Sequence, residues 1–123
     1  MVASDKYLNL QTGQLGEKLA AAYLCKKGYK VVERNFRTRF GEIDLIVQKD
    51  GCLVFVEVKA TQGRGQPEWQ ITPHKLQQVK KMAQIYLTTQ PLRYTDLRID
   101  AVCIILNNNN SVDRIRHYEA MGF

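Results

Sequence analysis

Residues 41–60, GEIDLIVQKDGCLVFVEVKA, decide the fold of this chain. They hold two β-rich runs, 41–48 and 52–60, on either side of Asp50-Gly51. Asp-Gly accepts the positive φ values of a type I′ turn, so the two runs predict a tight hairpin. A two-residue turn puts Lys49 opposite Cys52, and counting back puts Asp44 opposite Glu57 and Glu42 opposite Lys59. Alternate strand residues share a face. Glu42, Asp44, Glu57 and Lys59 therefore project to one side, with Ile46 and Phe55, while Ile43, Leu45, Val47, Val54, Val56 and Val58 form an apolar opposite side. Directly opposed side chains have Cβ atoms roughly 5 Å apart, and two carboxylates so placed repel unless a cation lies between them. An odd-length turn or a bulge would move Asp44 off Glu57 and leave Glu57 and Lys59 together.

The flanking sequence completes an α/β pattern. Residues 11–27 predict a helix with an apolar stripe of Leu15, Leu19, Ala22 and Tyr23, closed by Lys26, Lys27 and a capping Gly28. Residues 29–36 read as a strand. Residues 61–71 hold two glycines and a proline without periodicity, which predicts a mobile loop. Thr72-Pro73 opens a second helix as N-cap and first-turn proline. Its stripe is Leu76, Val79, Ala83, Tyr86 and Leu87, and Pro91 follows its end. Residues 97–106 predict a central strand, apolar from Ala101 onward. Asn107 to Asn110 turn into a last strand, 112–118. The order is helix, three strands, helix, then one or two strands, which gives a sheet covered by helices.

The chain of 123 residues is expected to form one domain, against roughly 150 residues per domain. With 45% hydrophobic residues it has the apolar material to offset chain entropy, which excludes disorder. Eighteen Lys and Arg against twelve Asp and Glu give a net charge of +6, which favours a polyanion, either nucleic acid or an anionic membrane surface. The spacing of Cys25, Cys52 and Cys103 makes neither a zinc framework nor a disulfide set and fits a reducing compartment, where such thiols are small buried hydrophobes. The first ten residues lack the apolar core of a signal peptide, and no apolar run approaches the roughly 18 residues of a membrane span. The expectation is a soluble, cytoplasmic protein without a membrane partner.

The chemistry centres on Asp44, Glu57 and Lys59. An isolated Glu-x-Lys in a strand is usually a solvated face, but these charges stand inside runs of hydrophobic residues, where charge is costly without a partner or a metal. Mg²⁺ takes few carboxylates and completes its shell with water and phosphate oxygens, and Lys59 beside the pair suits charge developing on a phosphate. These are parts for metal-dependent phosphodiester hydrolysis. Two rivals stand beside it. One is a nucleic-acid-binding module that does not cut. The other is a carboxylate-pair hydrolase such as a glycosidase, in which Lys59 and the basic charge have no natural role. Arg34, Arg37, Arg39 and Arg64 are expected along the cleft as phosphate contacts, with Lys75 and Gln78 as helix residues within reach of phosphate. Trp69 is read as a loop anchor, with base stacking as the alternative. His74 and His117 are isolated in sequence and are read as structural or exposed.

Gly41-Glu42-Ile43-Asp44-Leu45-Ile46 followed by Val54-Phe55-Val56-Glu57-Val58-Lys59 resembles the YraN family of small bacterial nuclease-like proteins. Gly16-Glu17, Ala20, Gly28-Tyr29, Arg34-Asn35, Lys75, Arg98-Ile99-Asp100, Ala120 and Phe123 extend the likeness over nearly the whole chain. The resemblance implies a PD-(D/E)XK fold of the restriction-endonuclease-like kind. That is an αβββαβ core with a mixed central sheet flanked by helices, similar to archaeal Holliday-junction resolvases. It implies Asp44, Glu57 and Glu17 as metal ligands for Mg²⁺ or Mn²⁺ and Lys59 as the catalytic lysine. It also implies DNA, branched DNA in particular, as partner, and leaves a homodimer open. The chain departs from the family pattern at Thr61, where an arginine is usual and Arg64 stands nearby, and at Ile99, where an aromatic is usual.

Overall fold

The structure is a computed structural model that describes the backbone of residues 2–90 and 94–122, with side chains within that set from Leu10 onward. The elements are α1 (Val2–Lys26), β1 (Lys30–Thr38), β2 (Gly41–Lys49), β3 (Cys52–Gln62), a 3₁₀ turn η1 (Pro67–Gln70), α2 (Pro73–Thr88), β4 (Asp96–Leu106) and β5 (Val112–Tyr118). Pro91 and Phe123 lie outside the described residues. No described helix is long and apolar enough to cross a membrane.

The five strands form one mixed sheet in sequential order, antiparallel except for the parallel pair β3 and β4. Asp50 and Gly51 have φ of 51° and 79°, and the ladder from Lys49↔Cys52 to Leu45↔Val56 follows the register expected of a two-residue turn. β3 and β4 are buried on both faces, as expected for the centre of a sheet whose parallel connection carries a helix.

α1 covers one face, where Ala20, Leu24, Leu45, Val54, Val56, Val102 and Ile104 form a cluster. α2 covers the other with Val79, Met82, Ala83 and Tyr86, against Ile46, Leu53, Phe55 and Ile99. Thr72 caps α2 by accepting a hydrogen bond from the Lys75 N–H at 3.2 Å, and Gly28 closes α1 with φ of 95°.

Several expectations are corrected. α1 begins at Val2 rather than at residue 11. Of the expected α1 stripe, Leu15, Leu19 and Tyr23 pack partly buried against the core but Ala22 is exposed, and the fully buried positions are Leu24 and the small Gly16, Ala20 and Ala21. These small side chains let the helix lie close on β3. Ile43 packs with the α2 cluster, not with Leu45 and Val47. Side-chain alternation slips at Asp44, where the β2–β3 ladder ends. Residues 61–71 are not an irregular mobile loop throughout: β3 runs on to Gln62 and η1 is tied down. Cys103 is buried, its thiol pushed up to about 12 by burial, whereas Cys25 is exposed.

Candidate functional site

The end of the β2–β3 ladder creates the site. Beyond Leu45↔Val56 the Asp44 carboxylate accepts the Val58 N–H at 2.8 Å, taking the place of a backbone acceptor. Asp44 is thus outside the regular ladder pairs, with its carboxyl still in hydrogen-bonding contact with that of Glu57. An open cleft of about 900 Å³ fills this end of the molecule. It is lined by Thr12, Gly13 and Glu17 of α1, Glu42 and Asp44 of β2, Glu57 and Lys59 of β3, Arg64, Gly65 and Gln70 of the following segment, and Lys75 of α2.

Gly16 explains how α1 delivers Glu17. A Cβ at that position would stand 2.6 Å from the Ala60 Cβ, so only glycine permits this approach of helix to strand. Carboxylate oxygens of Glu17, Glu42 and Asp44 then lie within 4.8 Å of one another. The Asn35 amide donates to both Glu17 and Glu42, at 2.6 Å each. Asn35 holds this position from a left-handed backbone, φ 52°, a conformation that asparagine tolerates better than most residues.

Glu57 is 2% exposed. Its Oε1 lies 3.7 Å from the Lys59 Nζ and 3.8 Å from the Lys75 Nζ. Its Oε2 is buried with no hydrogen-bond partner, a costly state for a carboxylate oxygen. Burial, and then the nearby Glu57 charge, push the Asp44 carboxyl up to about 7. Burial also raises Glu57, against the lowering pull of Lys75 and Lys59. Glu17 is raised by burial as well. Three clustered carboxylates and an orphaned fourth suit a hard divalent cation, which would satisfy the orphan oxygen and relieve the repulsion.

The basic residues are distributed more widely than a single cleft lining. Arg64 lines the cleft. Arg37 is an exposed rim residue whose Nε is 3.6 Å from Glu42. Arg39 lies over the Phe40 ring at 4.9 Å, and Arg34 stands on β1 opposite Leu45. Lys75 points at Glu57, inside the site. Gln78 and exposed His74 border a neighbouring groove beside Phe40. Glu42 faces Asn35 and Arg37 rather than pairing with Lys59. Trp69 is no anchor, since it is 77% exposed.

His117 is not isolated. Its Nε2 lies 2.7 Å from Oδ2 of Asp100, which is fully buried. Asp100 also accepts two hydrogen bonds from Arg98 at 2.8 Å and one from the Ala120 N–H at 3.1 Å. Arg98 donates to the Tyr29 hydroxyl at 2.6 Å. This network ties β4, β5 and Tyr29, between α1 and β1, together, away from the cleft. Sequence reading missed it, together with the placement of Asn35 and Glu42 beside Glu17.

A family model described as Uncharacterised protein family UPF0102 matches residues 16–104, from Gly16 within α1 to the core of β4. The chain belongs to the UPF0102 family. A UPF0102 protein of Syntrophomonas wolfei is 45% identical over 112 residues, covering 89% of this chain and 96% of its own length. Another, of Persephonella marina, is 43% identical over 98 residues, covering 78% of this chain and 84% of that protein. The span matched by the UPF0102 model contains the four cleft carboxylates, Asn35, Lys59 and Lys75.

Proposed function

We propose that this UPF0102 protein is a metal-dependent nuclease of the restriction-endonuclease-like, PD-(D/E)XK kind, acting in the cytoplasm on DNA, with branched DNA as the expected substrate. The observation that carries the reading is the buried Glu57 Oε2 without a partner, set beside the Glu17–Glu42–Asp44 cluster and two lysines. The succession of α1, three antiparallel strands, α2 and a parallel β4 supports an αβββαβ core of that kind.

In this reading Asp44, Glu57 and Glu17 hold Mg²⁺ or Mn²⁺, and Glu42 joins them. Bound there, the ion would polarise a phosphoryl oxygen and lower the pKa of a water. Asn35 keeps Glu17 and Glu42 facing each other. Lys59 and Lys75 place two ammonium groups beside Glu57, where negative charge gathers on the phosphate as water attacks and the ester oxygen leaves. The products are a phosphate monoester and a free hydroxyl. Arg37, Arg39 and Arg64 hold the backbone on either side. A glycosidase leaves both lysines without a task, and a binding module leaves the orphaned Glu57 oxygen without one.

The test incubates the wild-type protein, Asp44→Asn and Glu57→Gln with branched, single-stranded and duplex DNA in Mg²⁺ or Mn²⁺, and again with chelator. The expected result is cleavage by the wild type that chelator and both substitutions abolish. Binding without cleavage of any of the three under all ion conditions would overturn the nuclease reading in favour of a binding module.

A further inference from the structure

The cleft residues account for phosphate chemistry, but not for Trp69, whose indole stands 77% exposed. Single exposed apolar residues are ordinary on protein surfaces. This one stands on a turn that is held unusually firmly from below. Pro67 is buried. The Glu68 carboxylate accepts a hydrogen bond from the Tyr118 hydroxyl at 2.8 Å and pairs with the Arg116 Nε at 2.7 Å, both from β5. The Trp69 N–H donates to the Gln66 carbonyl at 3.1 Å and the Ile71 N–H to the Glu68 carbonyl at 3.0 Å. The backbone under the indole is therefore fixed, while its ring faces water.

The neighbours of Trp69 locate it. Gln70 on one side, and Arg64 and Gly65 on the other, line the cleft. Trp69 therefore belongs to a segment whose residues on both sides in the chain, Arg64 among them, face the cleft. A base has an apolar face of matching size, and stacking on an aromatic ring contributes about 1–3 kcal/mol per base. A base paired and stacked within a duplex cannot offer that face.

We propose that Trp69 is a stacking platform for an unpaired base next to the phosphate in the cleft, so that the protein selects DNA with single-stranded character at the bound site. This rests on the nucleic-acid part of the function proposed above and names the substrate feature that it recognises. A fixed platform binds without ordering a flexible loop first, which lowers the entropic cost of association.

Trp69 is the chain's single tryptophan, so its emission reports on this ring alone. Wild-type protein in chelator, at low salt, is titrated with a labelled single strand, a blunt duplex of the same sequence and a duplex with a single-stranded overhang. Label anisotropy gives binding and indole emission gives stacking. The expected result is strong quenching with the single strand and the overhang, and little with the blunt duplex. Trp69→Ala weakens single-strand binding by about tenfold, and Trp69→Phe restores most of it. Binding of the single strand with unquenched emission, or an equal loss on blunt duplex for Trp69→Ala, overturns the stacking role and leaves the nucleic-acid reading standing. No binding of any of the three DNAs overturns both.

Discussion

Burial and the Glu57 charge push the Asp44 carboxyl up to about 7 from an ordinary 3.8. A folded state that holds a proton more tightly than the unfolded chain loses stability as pH rises between those two values. In chelator, the protein should therefore become less stable from about pH 4 to pH 8. Asp44→Asn keeps an acceptor for the Val58 N–H and removes the charge. Thermal melts should place it above the wild type at pH 8, by on the order of 1–2 kcal/mol after allowing for the open cleft, and level with it near pH 4. A lower melting temperature at pH 8 would mean that Asp44 is a structural hydrogen-bonding residue. Three arginines make a second prediction at this scale. If Arg37, Arg39 and Arg64 touch phosphates, replacing any one by alanine flattens the plot of log K against log salt by about one unit, with little change in sequence preference. Unchanged slopes in all three would place the groove elsewhere. The hairpin register was readable because Asp50-Gly51 sets it. The displacement of Asp44 was not, since the carboxylate competes with the backbone for the Val58 N–H and ends the ladder. The position of Asn35 depends on the β1–β2 register, and Thr38 to Gly41 carry no comparable turn signal.

α1 and β3 meet through a contact without slack. Gly16→Ala would bring its Cβ to 2.6 Å from the Ala60 Cβ, so the helix must shift and carry Glu17 with it. Alanine gains about 1 kcal/mol of helix propensity, yet overpacking costs about 1–3 kcal/mol. The variant should melt at or below the wild-type temperature and bind Mn²⁺ more weakly. Ala60→Gly in the same chain should restore the affinity. Wild-type affinity in Gly16→Ala alone would show that Glu17 does not depend on this approach. The apolar stripe of α2 was legible because Val79, Ala83 and Tyr86, three of its four buried residues, recur at helical spacing; Met82 is the fourth. That of α1 was read only in part: Leu15, Leu19 and Tyr23 do pack against the core, but the fully buried positions include Gly16, Ala20 and Ala21, whose small size hides burial from a hydrophobic pattern.

Across the whole molecule, two buried charged residues among those described do opposite things. Glu57 has an unsatisfied oxygen in the cleft, whereas Asp100 is fully satisfied by Arg98, His117 and the Ala120 N–H. Burial alone would raise Asp100, but these donors outweigh it and hold its carboxyl below the usual range. Its stabilising contribution is therefore present above about pH 4 and is lost as pH falls through its lowered value. Asp100→Ala leaves the Arg98 guanidinium only the Tyr29 hydroxyl and a 3.8 Å approach to the exposed Glu119, and should cost on the order of 3 kcal/mol in denaturant melts at pH 7, with a smaller difference from the wild type at pH 2. An equal difference at both pH values would mean that packing, not charge, is what Asp100 supplies. The sequence singled out Glu57 as a candidate ligand, whereas Asp100, an acidic residue in an equally apolar strand, shows its partners only once the packing of β5 is known. The claim that the cleft carboxylates form a divalent-metal seat is tested most directly by titrating Mn²⁺ into the DNA-free protein at pH 7 and following bound ion by electron paramagnetic resonance. Saturable binding that is lost in both Asp44→Asn and Glu57→Gln is expected. Absence of saturable binding to the wild type, or full binding in both variants, would contradict the claim.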